Sequence, residues 1–285
     1  MKGRDILKLL IEPCNKEEII NSDGIILPLK DYSIESIISY SLEEIKEIIK
    51  IYNGEVFIKM NKNLMNDDIP KVKELLLELD KLKVNGIFFY DLAILQLKKE
   101  LNLSVDLVWN QTHMVNNYKT CDYYYSKGVK YALLGKEITL EEDIEIIKNS
   151  KIIPMVEVVS LPSVAFSKRK LVSNYFKDIK ETPKKEIKIK EKVSGEYYDV
   201  VEDENGACFY LDKITNGTSI IKDLYEANCE YIIMREWNIP DFKELVEDTM
   251  KYINENCKDE EYISKYKKLG DSTNFFFKKT IYKVK

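Results

Sequence analysis

The amino-acid sequence predicts an α/β protein with a (β/α)8 TIM-barrel-like fold and a small β insertion between the seventh and eighth strands. Short apolar runs rich in β-branched residues alternate with longer segments whose apolar residues recur every three or four positions. This alternation is typical of a parallel sheet covered by helices. The 285 residues also suffice for a barrel, which needs about 250. We expect distortion where the first strand is short.

The apolar runs predict eight barrel strands. These are residues 9–11, 24–27, 55–60, 86–90, 105–109, 131–134, 152–159 and 231–234. The amphipathic segments predict helices at 42–52, 69–82, 92–101, 117–127, 140–149, 219–228 and 242–256. Capping boxes support two of these helices, since Ser41 precedes Glu44 and Thr139 precedes Glu142 by three residues.

Residues 177–217 interrupt the pattern, because apolar and polar residues alternate there and Glu204, Asn205 and Gly206 indicate a hairpin turn. We therefore predict a barrel at 1–176 and 218–257, a β-hairpin insertion at 177–217, and a C-terminal arm at 258–285 packing on the barrel. We interpret the lysine run at 184–192 as a solvated strand face rather than a nucleic-acid patch.

The composition excludes several classes of protein. With 44 Lys and Arg against 49 Asp and Glu, the formal net charge is −5, so no global basic field attracts nucleic acid. No apolar run approaches the roughly 18 residues of a membrane helix, and no secretory leader is visible, so we expect a cytoplasmic protein. The five cysteines are scattered without a C-x-x-C spacing, which favours reduced structural thiols.

Glu157 lies inside the longest apolar strand, where a carboxylate is costly unless it is paired or used in a reaction. In a barrel, side chains at the carboxyl ends of the strands face the site. We therefore predict a pocket with Glu157, Lys136 and Arg169 as catalytic residues, the two cations binding a carboxylate or phosphate. Substrate-binding residues predicted around them are Asn61, Asp91, Asn110, Glu137 and Ser167, and the same rule selects Arg235 and Glu236. The alternative is a structural ion pair between Lys136 and Glu157.

His113 is the only histidine, which excludes a histidine-rich metal site and leaves one candidate general base. We favour a loop histidine without a catalytic role. The sequence contains no G-x-S-x-G elbow and no H-E-x-x-H motif, so no nucleophile or zinc site indicates proteolysis. Trp109 and the three tyrosines at 123–125 are of a type that stacks on bases, but their positions favour core and edge aromatics.

The segment VEVVSLPSVAFSKRKLVSNYF resembles the central segment of the peptidase U32 family. Five further segments are similar to that family in the right order: GIFFYDLAILQLKKEL, THMVNNY, LLGKEITLEE, YYDVVEDENGACFYLD and FFFKKTIYKVK. Thr112 and Asn117 match the family in the second of these segments, and Asp91, Lys136 and Glu137 take family positions in others. The resemblance adds Thr112 to the predicted substrate-binding residues.

Members of this family are called peptidases, but several relatives take part in oxygen-independent hydroxylation of RNA bases, using an iron–sulfur cluster held by cysteines. Ser163 and Lys170 occupy two of the cysteine positions here, and residues 174–193 contain no cysteine, so we expect no cluster. The resemblance implies a protease by family name, or a subunit in tRNA or rRNA base hydroxylation that acts with a cluster-bearing U32 relative. RNA or a small anionic substrate is expected. The alternative is a non-catalytic scaffold subunit with a decayed site.

Overall fold

The computed structural model describes residues 7–270 except 17, 18, 112, 183 and 185. In chain order its strands are β1 (Lys8–Glu12), β2 (Gly24–Pro28), β3 (Glu55–Met60), β4 (Gly86–Phe89), β5 (Leu107–Trp109), β6 (Tyr131–Leu133), β7 (Ile153–Ser160), β8 (Ser163–Ser167), β9 (Glu186–Lys190), β10 (Tyr197–Asp203), β11 (Gly206–Leu211), β12 (Thr215–Asn216) and β13 (Tyr231–Arg235). The helices are α1 (Leu42–Ile51), α2 (Ile69–Lys81), α3 (Leu92–Glu100), α4 (Tyr118–Ser126), α5 (Leu140–Asn149), α6 (Leu171–Asp178), α7 (Ile221–Glu226), α8 (Phe242–Asn254) and α9 (Glu260–Tyr266).

Eight of these strands close into a parallel barrel, which confirms the predicted fold class. Strands β1 to β7 follow one another around the ring, and β13 closes it between β7 and β1. The first strand is regular, with five residues paired to β13, and the irregularity lies instead between β7 and β13, where the register shifts at Ile233 and Met234. No helix in the part of the chain that the structure describes is long and apolar enough to cross a membrane.

A layer of large apolar side chains fills the middle of the barrel. Its members are Leu10, Ile26, Phe57, Phe88, Val108, Tyr131, Leu133, Met155, Tyr231 and Ile233. Phe57 lies at its centre, with edge-to-face contacts to Phe88, Tyr131 and Tyr231 at centroid distances of 6.0, 5.9 and 6.0 Å. Below this layer, Lys8 pairs with Glu55 at 2.6 Å near the amino ends of the strands. This filled layer separates the amino ends of the strands from the opening at their carboxyl ends, which we call the mouth.

The insertion between β7 and β13 is a four-stranded antiparallel sheet in the order β8-β11-β10-β9. Helix α6 covers one face of it through Val172 and Phe176, which pack on Val200 and Ala207. The sheet thus includes β8 and is covered by α6, both of which begin before the 177–217 range predicted from sequence. The pattern gives little sign of β8, because its side chains are half-buried or exposed and its pairing with β11 holds it in place.

The hairpin between β10 and β11 turns at the predicted residues. The Asp203 carboxylate accepts hydrogen bonds from the backbone N–H groups of Asn205 and Gly206 at 2.8 and 3.2 Å. Gly206 has φ +145°, and a Cβ there would lie 2.0 Å from the carbonyl oxygen of Ser167. Only glycine therefore lets this hairpin pass so close to the end of β8.

Part of the predicted C-terminal arm is helical. Residues 260–266 form α9, which packs against α8 through stacked Tyr252 and Tyr262 rings 4.3 Å apart. Residues 271–285, where an extended arm was predicted, lie outside the described residues.

Replacing Phe57 with alanine should lower the free energy of unfolding by about 3–5 kcal/mol, because it leaves a cavity at the centre of three aromatic rings. Urea denaturation followed by circular dichroism measures this loss. Ile51→Ala is the matched control, since that side chain is 76% exposed and its truncation should change stability little. Equal effects from the two substitutions would contradict this packing.

Candidate active site

A continuous network of charged side chains lies at the mouth, directly above the apolar layer. It runs through five residues, Lys59, Glu12, Arg235, Glu157 and Lys136, in which cations and carboxylates alternate. Four of them come from the ends of β3, β1, β13 and β7, and Lys136 follows β6. The four strand residues point inward because each lies two residues beyond an interior apolar residue of its own strand. The barrel topology therefore brings together charges that are far apart in sequence.

The Lys59 ammonium is enclosed in this network, its side chain being 1% exposed. It contacts both oxygens of Glu12 at 3.0 and 3.2 Å, the backbone carbonyl of Glu35 at 2.9 Å and the Ser36 hydroxyl at 2.8 Å. Arg235 contacts the second oxygen of Glu12 at 3.0 Å. Every charge in this half of the network is thus compensated by hydrogen bonds, as buried ions require.

Glu157 is the shared acceptor of the other half. Its Oε2 accepts the Arg235 Nε–H at 2.6 Å, while its Oε1 contacts Lys136 Nζ at 2.9 Å and accepts the Ser160 hydroxyl at 2.5 Å. The ion pair that sequence analysis gave as the structural alternative therefore exists. It also holds Lys136 at the boundary between the network and the open space above it.

The network fixes the protonation of its carboxylates. Burial alone would raise the pKa of Glu157, but the charges of Arg235 and Lys136 outweigh it and hold that pKa well below its usual range. Glu12 behaves in the same way between Arg235 and Lys59, so its pKa is also lowered. Burial, helped by Arg235, lowers the pKa of Lys59 to about 8. Glu157 is therefore ionised at neutral pH and stabilises the two cations rather than donating a proton.

A cavity of about 500 Å³ lies above the network, between the strand ends and strand β8 of the insertion. Its lining residues are Ile34, Glu35, Asn61, Asn63, Tyr90, Asn110, His113, Lys136, Glu137, Pro162, Ser163, Val164, Ala165 and Phe166. This lining includes three amide side chains and three aromatic side chains, those of Asn61, Asn63, Asn110, Tyr90, His113 and Phe166. The positive charge of Lys136 is offset by Glu157 below it and by Glu35 and Glu137 in the lining itself.

Asn110 is a buried polar residue of this lining whose amide group is not fully hydrogen-bonded. It is 4% exposed, and its Nδ2 has no hydrogen-bond partner among the described residues. Asn61 is similarly buried, but its Oδ1 accepts the backbone N–H of Ile34 at 2.9 Å. A buried donor without an acceptor costs about 1–3 kcal/mol. Because Asn110 lines the cavity, a ligand with an acceptor oxygen or nitrogen would satisfy it.

The structure brings most of the predicted site residues together. Asn61, Asn110, Lys136 and Glu137 line the cavity, and Glu157 lies directly behind Lys136. Their roles in catalysis and substrate binding stay predictions. The lone histidine, His113, also lines the cavity, beside Tyr90 at a ring distance of 6.3 Å.

Three predicted residues lie elsewhere. Arg169 is exposed on the turn between β8 and α6 and is absent from the cavity lining, because pairing of β8 with β11 leads the chain away from the strand ends. Ser167 belongs to β8, where its hydroxyl accepts the backbone N–H of Arg169 at 3.2 Å. Asp91 caps α3 and also accepts the backbone N–H of Leu64 at 2.9 Å. Thr112 lies outside the described residues.

Sequence analysis missed Lys59, Glu12 and Ser160. Lys59 gave a usable signal, since a lysine inside the apolar run EVFIKM poses the same burial problem as Glu157. Glu12 ends a short strand and its partner is 47 residues away, so nothing local indicated that it was buried. The predicted core placement of Trp109 holds, since it is fully buried and stacks on Tyr124 at 3.8 Å.

Comparison with known proteins agrees with this geometry. The model of peptidase family U32 matches residues 23–239. The chain belongs to peptidase family U32. The solved U32 peptidase Mk0906 has the same fold, with a TM-score of 0.51 at 13% identity over 83% of this chain and 95% of that one.

Two curated proteins are also similar to this U32 member. The tRNA hydroxylation protein P2 of Bacillus subtilis (strain 168) is 25% identical over 308 residues, covering 96% of this chain and 99% of that protein. An uncharacterized protease of Methanocaldococcus jannaschii is 31% identical over 116 residues, which is 40% of this chain and 28% of that protein.

The residues present do not fit the cysteine-ligated cluster that the family resemblance implies. Ser163 lines the cavity, and the Lys170 ammonium donates to the carbonyl oxygen of Asp203. Within residues 7–270 as described, no group of three or more His, Cys, Asp and Glu side chains is placed to hold a metal ion. Cys208, the cysteine of β11, is buried, which raises the pKa of its thiol to about 12.

Glu157→Gln should lower the free energy of unfolding at pH 7 by about 3 kcal/mol, because it removes the negative charge that both Arg235 and Lys136 contact. The loss should depend on pH. Since folding lowers the pKa of Glu157, its contribution is fully present above the unfolded pKa of about 4.3 and is lost progressively as the pH falls from there toward the lower pKa of the folded protein.

Urea denaturation of both proteins between pH 7 and pH 3 measures this effect. The difference between wild type and Glu157→Gln should narrow below about pH 4. Glu74→Gln is the control, since Glu74 pairs with Lys71 on the surface and its loss should have little effect. A difference that stays constant with pH would show that Glu157 is not held ionised by its partners.

Proposed function

We propose that this chain is a subunit of a tRNA hydroxylation system and that its mouth cavity receives the base to be modified. The observation that carries the proposal is the match to the tRNA hydroxylation protein P2, which spans 96% of this chain and 99% of that protein. The cavity lies at the end of the barrel where active sites of this fold are found.

The cavity suits one extruded nucleobase. Its volume of about 500 Å³ lies in the range of small-molecule sites. Enzymes that modify a base take it out of its stack and bind it by hydrogen bonds to its edge and by stacking. Asn61, Asn63 and Asn110 supply amide groups for the edge, and Tyr90 and Phe166 supply planar surfaces. A neutral base fits this lining better than a small anion, because the charge of Lys136 is already offset.

Proteolysis has less support. No hydrogen bond joins the His113 imidazole to a serine or cysteine in the described part of the chain. Lys136 is held in an ion pair with Glu157, and Arg169 is absent from the cavity lining, so neither predicted cation is placed to act as the base of a nucleophile. The Methanocaldococcus jannaschii protein described as an uncharacterized protease aligns with only 40% of this chain.

The residues at the family's cysteine positions bear on which cofactor and which partner this chain would use. We propose that this chain carries no iron–sulfur cluster of its own, since the two family cysteine positions are Ser163 and Lys170. The oxidative chemistry would then be supplied by a cluster-bearing U32 relative bound to it in the cytoplasm, where tRNA is found. The same substitutions favour a second candidate, a non-catalytic scaffold subunit whose mouth no longer binds a base.

Deletion of the gene should remove a hydroxylated nucleoside from bulk tRNA, and the wild-type gene should restore it. Asn110→Leu should fail to restore it, because that substitution removes the unpaired donor from the cavity lining while keeping a similar volume. Nucleoside mass spectrometry of tRNA measures both results.

The thermal midpoint of the Asn110→Leu protein is the control and should equal or exceed that of wild type. An unchanged nucleoside profile in the deletion strain would refute the tRNA role. Full restoration by Asn110→Leu would favour the scaffold function instead.

Treatment of the purified protein with iron and sulfide should leave it colourless, because the family's thiolate ligands are absent from residues 163–193. Visible absorption spectroscopy before and after desalting makes the measurement. A stable brown chromophore with bound iron would show that other side chains ligate a cluster.

A further inference from the structure

The cavity accommodates a base but not the phosphates of the RNA that carries it. Its lining is close to neutral, since Glu35 and Glu137 accompany Lys136 and Glu157 compensates that lysine from below. RNA binding depends largely on contacts between cations and phosphates. The surface that holds the RNA backbone must therefore lie outside the cavity.

The sequence concentrates its cations in one segment beside the mouth. Residues 168–192 contain ten Lys and Arg against four Asp and Glu, although the whole chain contains 44 against 49. This segment begins at the end of β8, whose first residues line the cavity, and it includes α6 and β9. A locally basic surface thus adjoins the opening of an acidic protein.

Two contacts fix the start of this segment at the mouth. The Lys168 ammonium donates to the backbone carbonyl of Asn63, a residue of the cavity lining, at 3.0 Å. The side-chain amide of Asn205 in the hairpin donates to the carbonyl of Ser33 at 3.1 Å, tying the insertion to the loop after β2. The position of Arg169, the residue after Lys168, is therefore set relative to the opening.

Three cations, one within α6 and one two residues beyond each of its ends, have no partner among the described residues. Arg169, Lys177 and Lys180 are exposed, and no described carboxylate lies within 4 Å of their charged nitrogens. Arg169 precedes α6 by two residues, and Lys177 lies in the last turn of that helix. We call these three residues the basic rim. Tyr175, on the same helix, is 58% exposed and offers a ring for stacking.

The lysines of β9 are different. Lys188 pairs with Asp199 at 3.5 Å, and Lys190 lies over the Tyr197 ring at 5.1 Å. Lys188 and Asp199 are opposite each other in the antiparallel ladder, as are Asp199 and Tyr210, so these three side chains lie on the same face of the sheet. This strand carries compensated charges, in keeping with the solvated strand face predicted from sequence.

We propose that the basic rim binds the phosphate backbone of the RNA whose base enters the cavity. This inference rests on the proposed function and adds the surface by which the RNA is held. It also gives Arg169 a role different from the one predicted from sequence: it contacts phosphate at the edge of the mouth rather than a reacting group inside it. The planar guanidinium suits a phosphate oxygen pair.

The test is binding of bulk tRNA, purified from the deletion strain, to the full-length protein at several potassium chloride concentrations. Arg169→Ala/Lys177→Ala/Lys180→Ala should raise Kd at least tenfold at 100 mM salt. The slope of log K against log salt should become shallower by about two, since each lost phosphate contact in a single strand contributes about 0.7.

A matched control carries the same charge change at the other end of the barrel. Lys99, Lys148 and Lys251 lie in the last turns of α3, α5 and α8, which run opposite to the strands and end away from the mouth. Lys99→Ala/Lys148→Ala/Lys251→Ala should change Kd less than twofold. Equal thermal midpoints for both triple variants show that neither effect comes from unfolding.

Equal losses of affinity in the two triple variants would contradict the proposal that the basic rim binds RNA, because affinity would then depend on net charge alone. A wild-type protein that binds no tRNA would overturn it as well. The nucleoside analysis of the deletion strain separates this inference from the proposed function. If a hydroxylated nucleoside is lost there while the rim variant binds tRNA normally, the tRNA role stands and the rim is wrong.

Discussion

The shared carboxylate of Glu157 is the interaction on which the mouth of this barrel depends. It accepts from Arg235 of β13 and contacts Lys136 beyond β6, so it joins the strands on either side of β7. Arg235 continues the connection to Glu12 and Lys59 on β1 and β3. Each buried carboxylate therefore lies between two cations, whose charges offset the cost of its desolvation.

This network lies between two environments. Below it, the barrel is filled by Phe57 and its aromatic neighbours. Above it lies a cavity whose amides and rings are available to a ligand. Lys136 belongs to both, because its ammonium is fixed by Glu157 while its side chain forms part of the cavity wall. The charges that stabilise the carboxyl end of the barrel thus also orient Lys136, the cation of the described cavity lining.

The sequence predicted the barrel well because each of its elements carries a local signal. Strand β3 and helix α5 have the predicted bounds, and the boxes at Ser41 and Thr139 cap α1 and α5. It failed at β8, which is held by hydrogen bonds to β11 about 40 residues later rather than by burial. That same long-range pairing carries Arg169 out of the pocket, a result that no nearby pattern could indicate.

Two signals allowed part of the site to be predicted from sequence: a charge inside an apolar strand and a position just after a strand end. Glu157 stands out in an apolar run, whereas Glu12 becomes significant only once β1 lies near β3 and β13. Asn110 was selected by its position after β5, but its unpaired amide depends on surrounding backbone that sequence does not specify. Strand-end position therefore identifies which residues face the mouth. Which of them keep a free hydrogen-bonding group for a ligand depends on tertiary contacts.

The close passage of Gly206 against Ser167 sets the limits within which this insertion can be exchanged between relatives. The hairpin packs against the end of β8 without room for a methyl group at Gly206. A chimaera that replaces the hairpin but keeps β8 would therefore bring the two backbones into steric clash. A transplant that begins before Ser163 and ends after Leu211 carries both sides of this contact. The mouth and its cover would then be recombined as separate modules, which offers a route to changing specificity without redesigning the barrel.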